Sequence, residues 1–173
     1  MFGNNQRIVL GFVSFILGCI FIYINKGVEG ALLIIGSLLM IYGYFRYGTV
    51  QKAFKSLKRN NFNKAKEELA QISKPDMLSK SQKGFYFFSM GLISFRENKL
   101  DEAENYFKKT FDFGLRTTNN ISLLNLSLAE LYLKKEQYQE VSTYLENSKK
   151  IPHKSSIDRY INDLEKILND INS

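Results

Sequence analysis

Residues Ile8 to Phe45 are almost entirely apolar, whereas the chain after them is charged and patterned for helices. Ile8 to Ile24 and Gly30 to Phe45 form two uncharged runs. Each is a little shorter than the about 20 residues that span a hydrocarbon core, so flanking residues or bilayer thinning must contribute. Tyr23 ends the first run, and Tyr42, Tyr44 and Tyr47 end the second, at positions that suit a membrane interface. The join, Asn25-Lys26-Gly27-Val28-Glu29, is too short for a domain and carries no net charge. The expectation is a transmembrane helical hairpin in residues 1–48, with helices over about 8–25 and 29–47.

Charge is placed as unevenly as hydrophobicity. Between Gly30 and Lys66 there is no Asp or Glu, while Arg46, Lys52, Lys55, Lys58, Arg59, Lys64 and Lys66 are all basic. The formal net charge of the chain is +7, so this segment holds the whole excess. Its position beside the apolar runs suits anionic lipid headgroups, with Arg46, Lys52, Lys55, Lys58 and Arg59 as the contacts. That account leaves no need for nucleic acid as a partner. Arg7 precedes the hairpin and the basic cluster follows it, which directs both termini to the cytoplasmic side of the cell membrane.

Small residues recur where helices would approach closely: Gly11, Ser14 and Gly18 on the first helix, Gly36 and Gly43 on the second. They either pack the hairpin or form an oligomer or partner interface. The single cysteine excludes an internal disulfide. Ile16-Leu17-Gly18-Cys19 also resembles a lipoprotein signal, which would place a lipid on Cys19 and the rest of the chain outside. Leu17 is bulky for that motif, and an apolar run rather than a polar tether follows Cys19.

Residues 47–155 repeat with a period of 38. Ala53, Gly91 and Ala129 align, as do Ala65, Ala103 and Val141, and then Leu69, Phe107 and Leu145. Phe62, Leu100 and Tyr138 fall in register at the turns. The segment Met90-Gly91 to Ala103-Glu-Asn-Tyr-Phe107 resembles the tetratricopeptide repeat of bacterial membrane-anchored proteins. The resemblance implies an all-α fold: helix pairs at about 47–79, 84–117 and 122–155 in a domain spanning 49–173. Small residues would let paired helices approach, with a large apolar residue filling the gap behind. The period exceeds the family's 34 by about one helical turn, expected in the second helix or in the link. Ile157, Tyr160, Ile161, Leu164, Ile167, Leu168 and Ile171 lie at helical spacing and suit a cap over 156–171.

No phosphate loop, nucleophile elbow or metal-ligand spacing occurs, and His153 stands alone, so the chain is read as a non-enzyme without a cofactor. In tetratricopeptide proteins the inner faces of the first helices line a groove. Carried onto this chain, the resemblance assigns Phe54, Leu57, Phe85, Phe88, Leu92, Phe95, Leu126 and Glu130 to a groove for a protein partner. Glu104 falls on the expected outer face. The expectation is a membrane adaptor that presents a helical domain to other proteins; the alternative is a subunit of a larger membrane complex held through its hairpin.

Overall fold

The computed structural model describes the backbone of residues 4–172 and the side chains of residues 9–43 and 49–171. Among the described residues every regular element is helical. The order is α1 (Asn4–Tyr23), α2 (Gly27–Lys58), α3 (Phe62–Ala70), a 3-10 turn (Pro75–Met77), α4 (Lys80–Arg96), α5 (Leu100–Phe113), α6 (Thr118–Lys134), α7 (Tyr138–Lys150) and α8 (Ser155–Asn172). Two compact units divide the chain, Met1–Lys52 and Ala53–Ser173, with the boundary inside α2.

One turn closes four helix pairs. Asn25, Asn60, Asn98 and Glu136 all adopt a left-handed backbone, with φ of 67, 62, 61 and 59°. At each, the amide bonds to the carbonyl three residues back and the next amide to the carbonyl five back. Thus Asn98 N–H donates to Phe95 at 3.1 Å and Lys99 N–H to Ser94 at 2.9 Å, as Asn25 and Lys26 donate to Ile22 and Phe21 at 3.1 and 2.9 Å. Asparagine tolerates this conformation better than most residues with a Cβ, which explains its recurrence here.

The side chains around each turn repeat as well. Seven residues before it and five after it stand Gly18 and Gly30, Ala53 and Ala65, Gly91 and Ala103, or Ala129 and Val141. Nine after it stands Ile34, Leu69, Phe107 or Leu145. Ala53, Ala65, Ala103, Phe107, Ala129 and Val141 are completely buried, and Leu145 nearly so. A Cβ added at Gly91 would lie 2.5 Å from the Phe107 ring, and one at Gly18 would lie 2.7 Å from Ile34 Cγ1. The N-terminal hairpin is therefore internally the same kind of helix pair as the three that follow, a likeness absent from the expected three-unit array.

Within the first unit, Gly11, Ser14 and Gly18 all face α2. A Cβ at Gly11 would lie 3.2 Å from Ile41 Cγ1, and Ser14 Oγ donates to the Leu33 carbonyl at 3.4 Å. The facing small residues on α2 are Gly30 and Ser37. A Cβ at Gly36 would meet nothing within 4 Å, because Gly36 sits one position off the face carrying Gly30, Ile34, Ser37 and Ile41. Gly43 is half-buried. The outward faces are apolar and exposed, with Phe12, Ile16, Leu32 and Leu39 each more than half accessible. Among the described residues no helix is long and apolar enough to cross a membrane.

In the second unit α4 and α6 begin at Lys80 and Thr118, one turn ahead of the expected 84 and 122. The extra turn thus extends the first helix of each pair rather than the second. Local capping accounts for it: Gln82 Oε1 accepts from Ser79 N–H at 3.0 Å, and Thr117 Oγ1 accepts from Asn120 N–H at 3.3 Å. At the C-terminus α8 buries Ile157, Ile161, Leu164 and Leu168 in a core shared with α6 and α7.

Neighbouring pairs are joined by ion pairs of opposite sense. Lys66 of α3 pairs with Glu97, whereas 38 residues on Glu104 of α5 pairs with Lys135 at 2.6 Å. Glu104 also accepts from Lys108 at 2.6 Å and from the Tyr132 hydroxyl at 2.9 Å. Burial alone would raise its pKa, but these donors outweigh burial and hold it at about 2. Glu104 is thus a half-buried junction between pairs, not the solvent-facing residue expected from helical periodicity.

Candidate partner groove

A groove of about 650 Å³ crosses the second unit. One side comes from the end of α2 and its turn: Phe54, Leu57, Lys58, Arg59, Asn60 and Phe62. Leu92 of α4 lies between, and Leu123, Leu126, Ser127 and Glu130 of α6 form the opposite side, with Tyr160 of α8 at the border. Phe54, Leu92 and Glu130 are equivalent by the 38-residue period, so one position from three successive first helices lines the groove. Helix-pair stacking brings them together because each supplies the same face at each step.

Of the residues assigned from sequence, Phe54, Leu57, Leu92, Leu126 and Glu130 line this groove. Phe88 does not: it is completely buried, its ring 5.8 Å from Phe54 and 6.0 Å from Phe107. It faces α5, where Phe107 needs an apolar neighbour, and belongs to the core. Phe85 is half-buried and packs at 5.0 Å on Phe54 from behind the groove wall. Phe95, also half-buried, lies under Lys134 Nζ at 4.7 Å.

The basic cluster is divided between two settings. Lys52, Lys55, Lys58 and Arg59 all expose their side chains, while that of Arg46 lies outside the described residues. Lys58 and Arg59 form a lip of the groove, and Lys58 Nζ sits 4.7 Å from the centre of the Phe54 ring. Sequence spacing alone attached these two residues to lipid. Their groove role follows from their place at the end of α2, in the same unit as the α4 and α6 residues that share the lining. Leu123, the periodic equivalent of Phe85 on the inner face that the resemblance assigns to the groove, lines it as well. Asn60, Phe62, Ser127 and Tyr160 line it beyond the residues so assigned.

Glu130 carries the unusual electrostatics. It is half-buried among apolar residues and has no hydrogen-bond or ion-pair partner among the described residues. Burial raises its pKa, and Lys134 one turn on draws it only partly back. Both nearby lysines, Lys58 and Lys134, rest on aromatic faces instead.

Elsewhere the polar chemistry is structural. His153 Nδ1 lies 2.6 Å from the Ile151 carbonyl and Nε2 lies 2.8 Å from Asp158, which ties the α7–α8 link. Ser122 and Ser148 pair across α6 and α7, Oγ to Oγ at 2.7 Å. Cys19 is exposed in the interior of α1. Among the described residues no three His, Cys, Asp or Glu side chains come together as a metal site. No family model, no curated protein and no solved structure matches this chain.

Proposed function

We propose that the chain is a non-enzymatic adaptor: the N-terminal hairpin anchors it to the cell membrane, and a tetratricopeptide-like domain on the cytoplasmic side captures a protein partner in the groove. The observation that carries this reading is the contrast between two kinds of helix pair with the same interior. In the hairpin the outward positions are Phe12, Ile16, Leu32 and Leu39, all exposed. In the other pairs outward positions carry charge, as at Lys108 and Glu140. An interior already closed by Gly18, Gly30 and Ile34 leaves the outer apolar faces to another solvent, and acyl chains are the natural one. Anionic headgroups would lie beside Lys52 and Lys55.

The test uses the full chain. Wild-type protein should float with liposomes containing anionic lipid and resist alkaline extraction. The quadruple substitution Phe12→Glu, Ile16→Glu, Leu32→Glu and Leu39→Glu should release it while leaving unfolding of the second unit unchanged. Flotation that survives this change would refute anchoring by the hairpin. Release by salt alone would instead assign attachment to the basic cluster.

A further inference from the structure

Glu130 interrupts the periodic pattern at the groove. Its equivalents in the preceding pairs are Phe54 and Leu92, and both are apolar. A carboxylate in place of a large apolar side chain, half-buried and with no hydrogen-bond partner among the described residues, is partly desolvated in the free protein. The cations nearby offset this only in part: Lys134, one turn on, lies on Phe95, Lys58 lies on Phe54, and Arg59 stands at the lip. A site that breaks the local rule with only partial internal compensation is where a ligand can supply the missing group.

We propose that the groove takes a polypeptide segment that seats a large apolar side chain against Phe54, Leu92 and Leu126 and hydrogen-bonds an adjacent Lys or Arg side chain to Glu130. This rests on the reading of the groove as a partner site and names the chemistry of the partner. Arginine suits the carboxylate best, because its two parallel N–H groups can engage both oxygens. The Lys58–Arg59 lip, opposite Glu130, accepts an acidic residue on the same segment, which fixes the direction in which it lies. Acidic tails, lipid headgroups and nucleic acid all bring negative charge onto Glu130 and are disfavoured by the same argument.

The probe is a phage-displayed library of random decapeptides, panned on the full chain in detergent micelles. Peptides selected by the wild type should carry Lys or Arg next to a Leu, Ile, Met or aromatic residue. Their affinity should fall at least tenfold in Glu130→Gln, with the thermal midpoint unchanged. Lys58→Gln with Arg59→Gln should weaken only those peptides that also carry an acidic residue. A spin-labelled selected peptide should broaden the amides of Leu92, Leu126 and Glu130. Peptides that broaden these amides yet bind Glu130→Gln as tightly as the wild type overturn the Glu130 inference and leave the groove as a partner site. If no peptide is selected, or those selected bind elsewhere, both are overturned.

Discussion

Glu136 occupies the turn position that Asn60 and Asn98 fill in the two preceding helix pairs, at φ 59° against 62 and 61°. The left-handed conformation costs a residue with a Cβ roughly 1–2 kcal/mol, less for asparagine. Replacing Glu136 by Asn should therefore recover about 0.5–1 kcal/mol. Glycine removes the whole steric cost but gives back roughly 0.5–1 kcal/mol through the freedom of the unfolded chain, so Glu136→Gly should arrive at a similar gain. Nothing offsets it, since the Glu136 side chain is exposed and makes no hydrogen bond or ion pair among the described residues. The reciprocal change, Asn98→Glu, should lose the same amount because its turn has the same hydrogen bonds. Thermal unfolding should read a rise of about 2–4 °C for the gains and an equal fall for the loss. Hydrogen exchange locates the effect: the amides of Gln137 and Val141, bonded to Tyr132 and Gln137 at 3.0 and 3.2 Å, should gain protection. If both Glu136 variants lower stability, or Asn98→Glu is tolerated, the turn at Glu136 is not strained.

Other substitutions test the packing and the charges. Glu104→Gln removes the negative charge and one of the two oxygens that accept from Lys108, Lys135 and Tyr132 and should cost about 1–2 kcal/mol at pH 7, whereas Glu140→Gln on an exposed position should stay within about 0.5 kcal/mol by urea denaturation. Because Glu104 is held at about 2 in the folded chain, its contribution is complete above the unfolded value of about 4.3 and should vanish as pH falls towards 2. Ser89 Oγ is buried without a hydrogen-bond partner, so Ser89→Ala should raise stability by about 1 kcal/mol in the same assay. Ala103 is completely buried, and Ala103→Leu should overpack α4 against α5 and cost about 1–3 kcal/mol. For His153, burial works to lower the pKa but the bonds to Asp158 and the Ile151 carbonyl prevail and raise it. The stabilisation is thus complete below about 6.5 and lost as pH rises through the higher folded value, which the single imidazole resonance of the chain would report; Asp158→Asn should bring that value down.

The helix-pair interiors were legible because they depend on spacing. A small residue opposite a small residue, with a large one four positions on, recurs at Ala53–Ala65–Leu69 and its later copies, and periodicity finds it directly. The hairpin escaped the same search for two reasons. Its turn lies 35 rather than 38 residues before the next, and its small pair, Gly18 and Gly30, sits in a run where every neighbour is apolar. Hydrophobic contrast, the signal that marks a buried face, is absent there. Gly36 was misassigned to the helix contact for the same reason, since a uniformly apolar helix does not reveal its inner face. Glu104 failed differently. Its position on the helix is outward, but Lys135 from the next pair reaches it, and no pattern internal to one helix contains that information. The groove was half legible. Its floor follows from the first-helix period, but its Lys58–Arg59 lip depends on how the end of α2 stacks beside α4 and α6, which no local pattern contains.

Four helix pairs closed by one turn and one small-residue contact differ only in what they present outward, and that difference is where function has to lie. The hairpin presents apolar side chains, which the internal contact of Gly18 with Gly30 and Ile34 does not require. The junctions present ion pairs whose sense reverses from Lys66–Glu97 to Glu104–Lys135. A pair shifted one step along the array would set Lys66 against Lys135, or Glu104 against Glu97, so the reversal opposes stacking in the wrong order. The fourth pair presents Glu130 where the pattern supplies Phe54 and Leu92. Each departure leaves the shared interior intact, and each costs something in isolation: apolar area in water, charge fixed at a junction, a carboxylate without a partner. The neighbouring helix pair removes the second cost; under the proposed function lipid would remove the first, and a basic side chain of the partner the third. The interior therefore accounts for why the chain folds as helix pairs, and the three departures separate the surfaces that meet neighbouring pairs from those to which the proposed function assigns lipid and a partner.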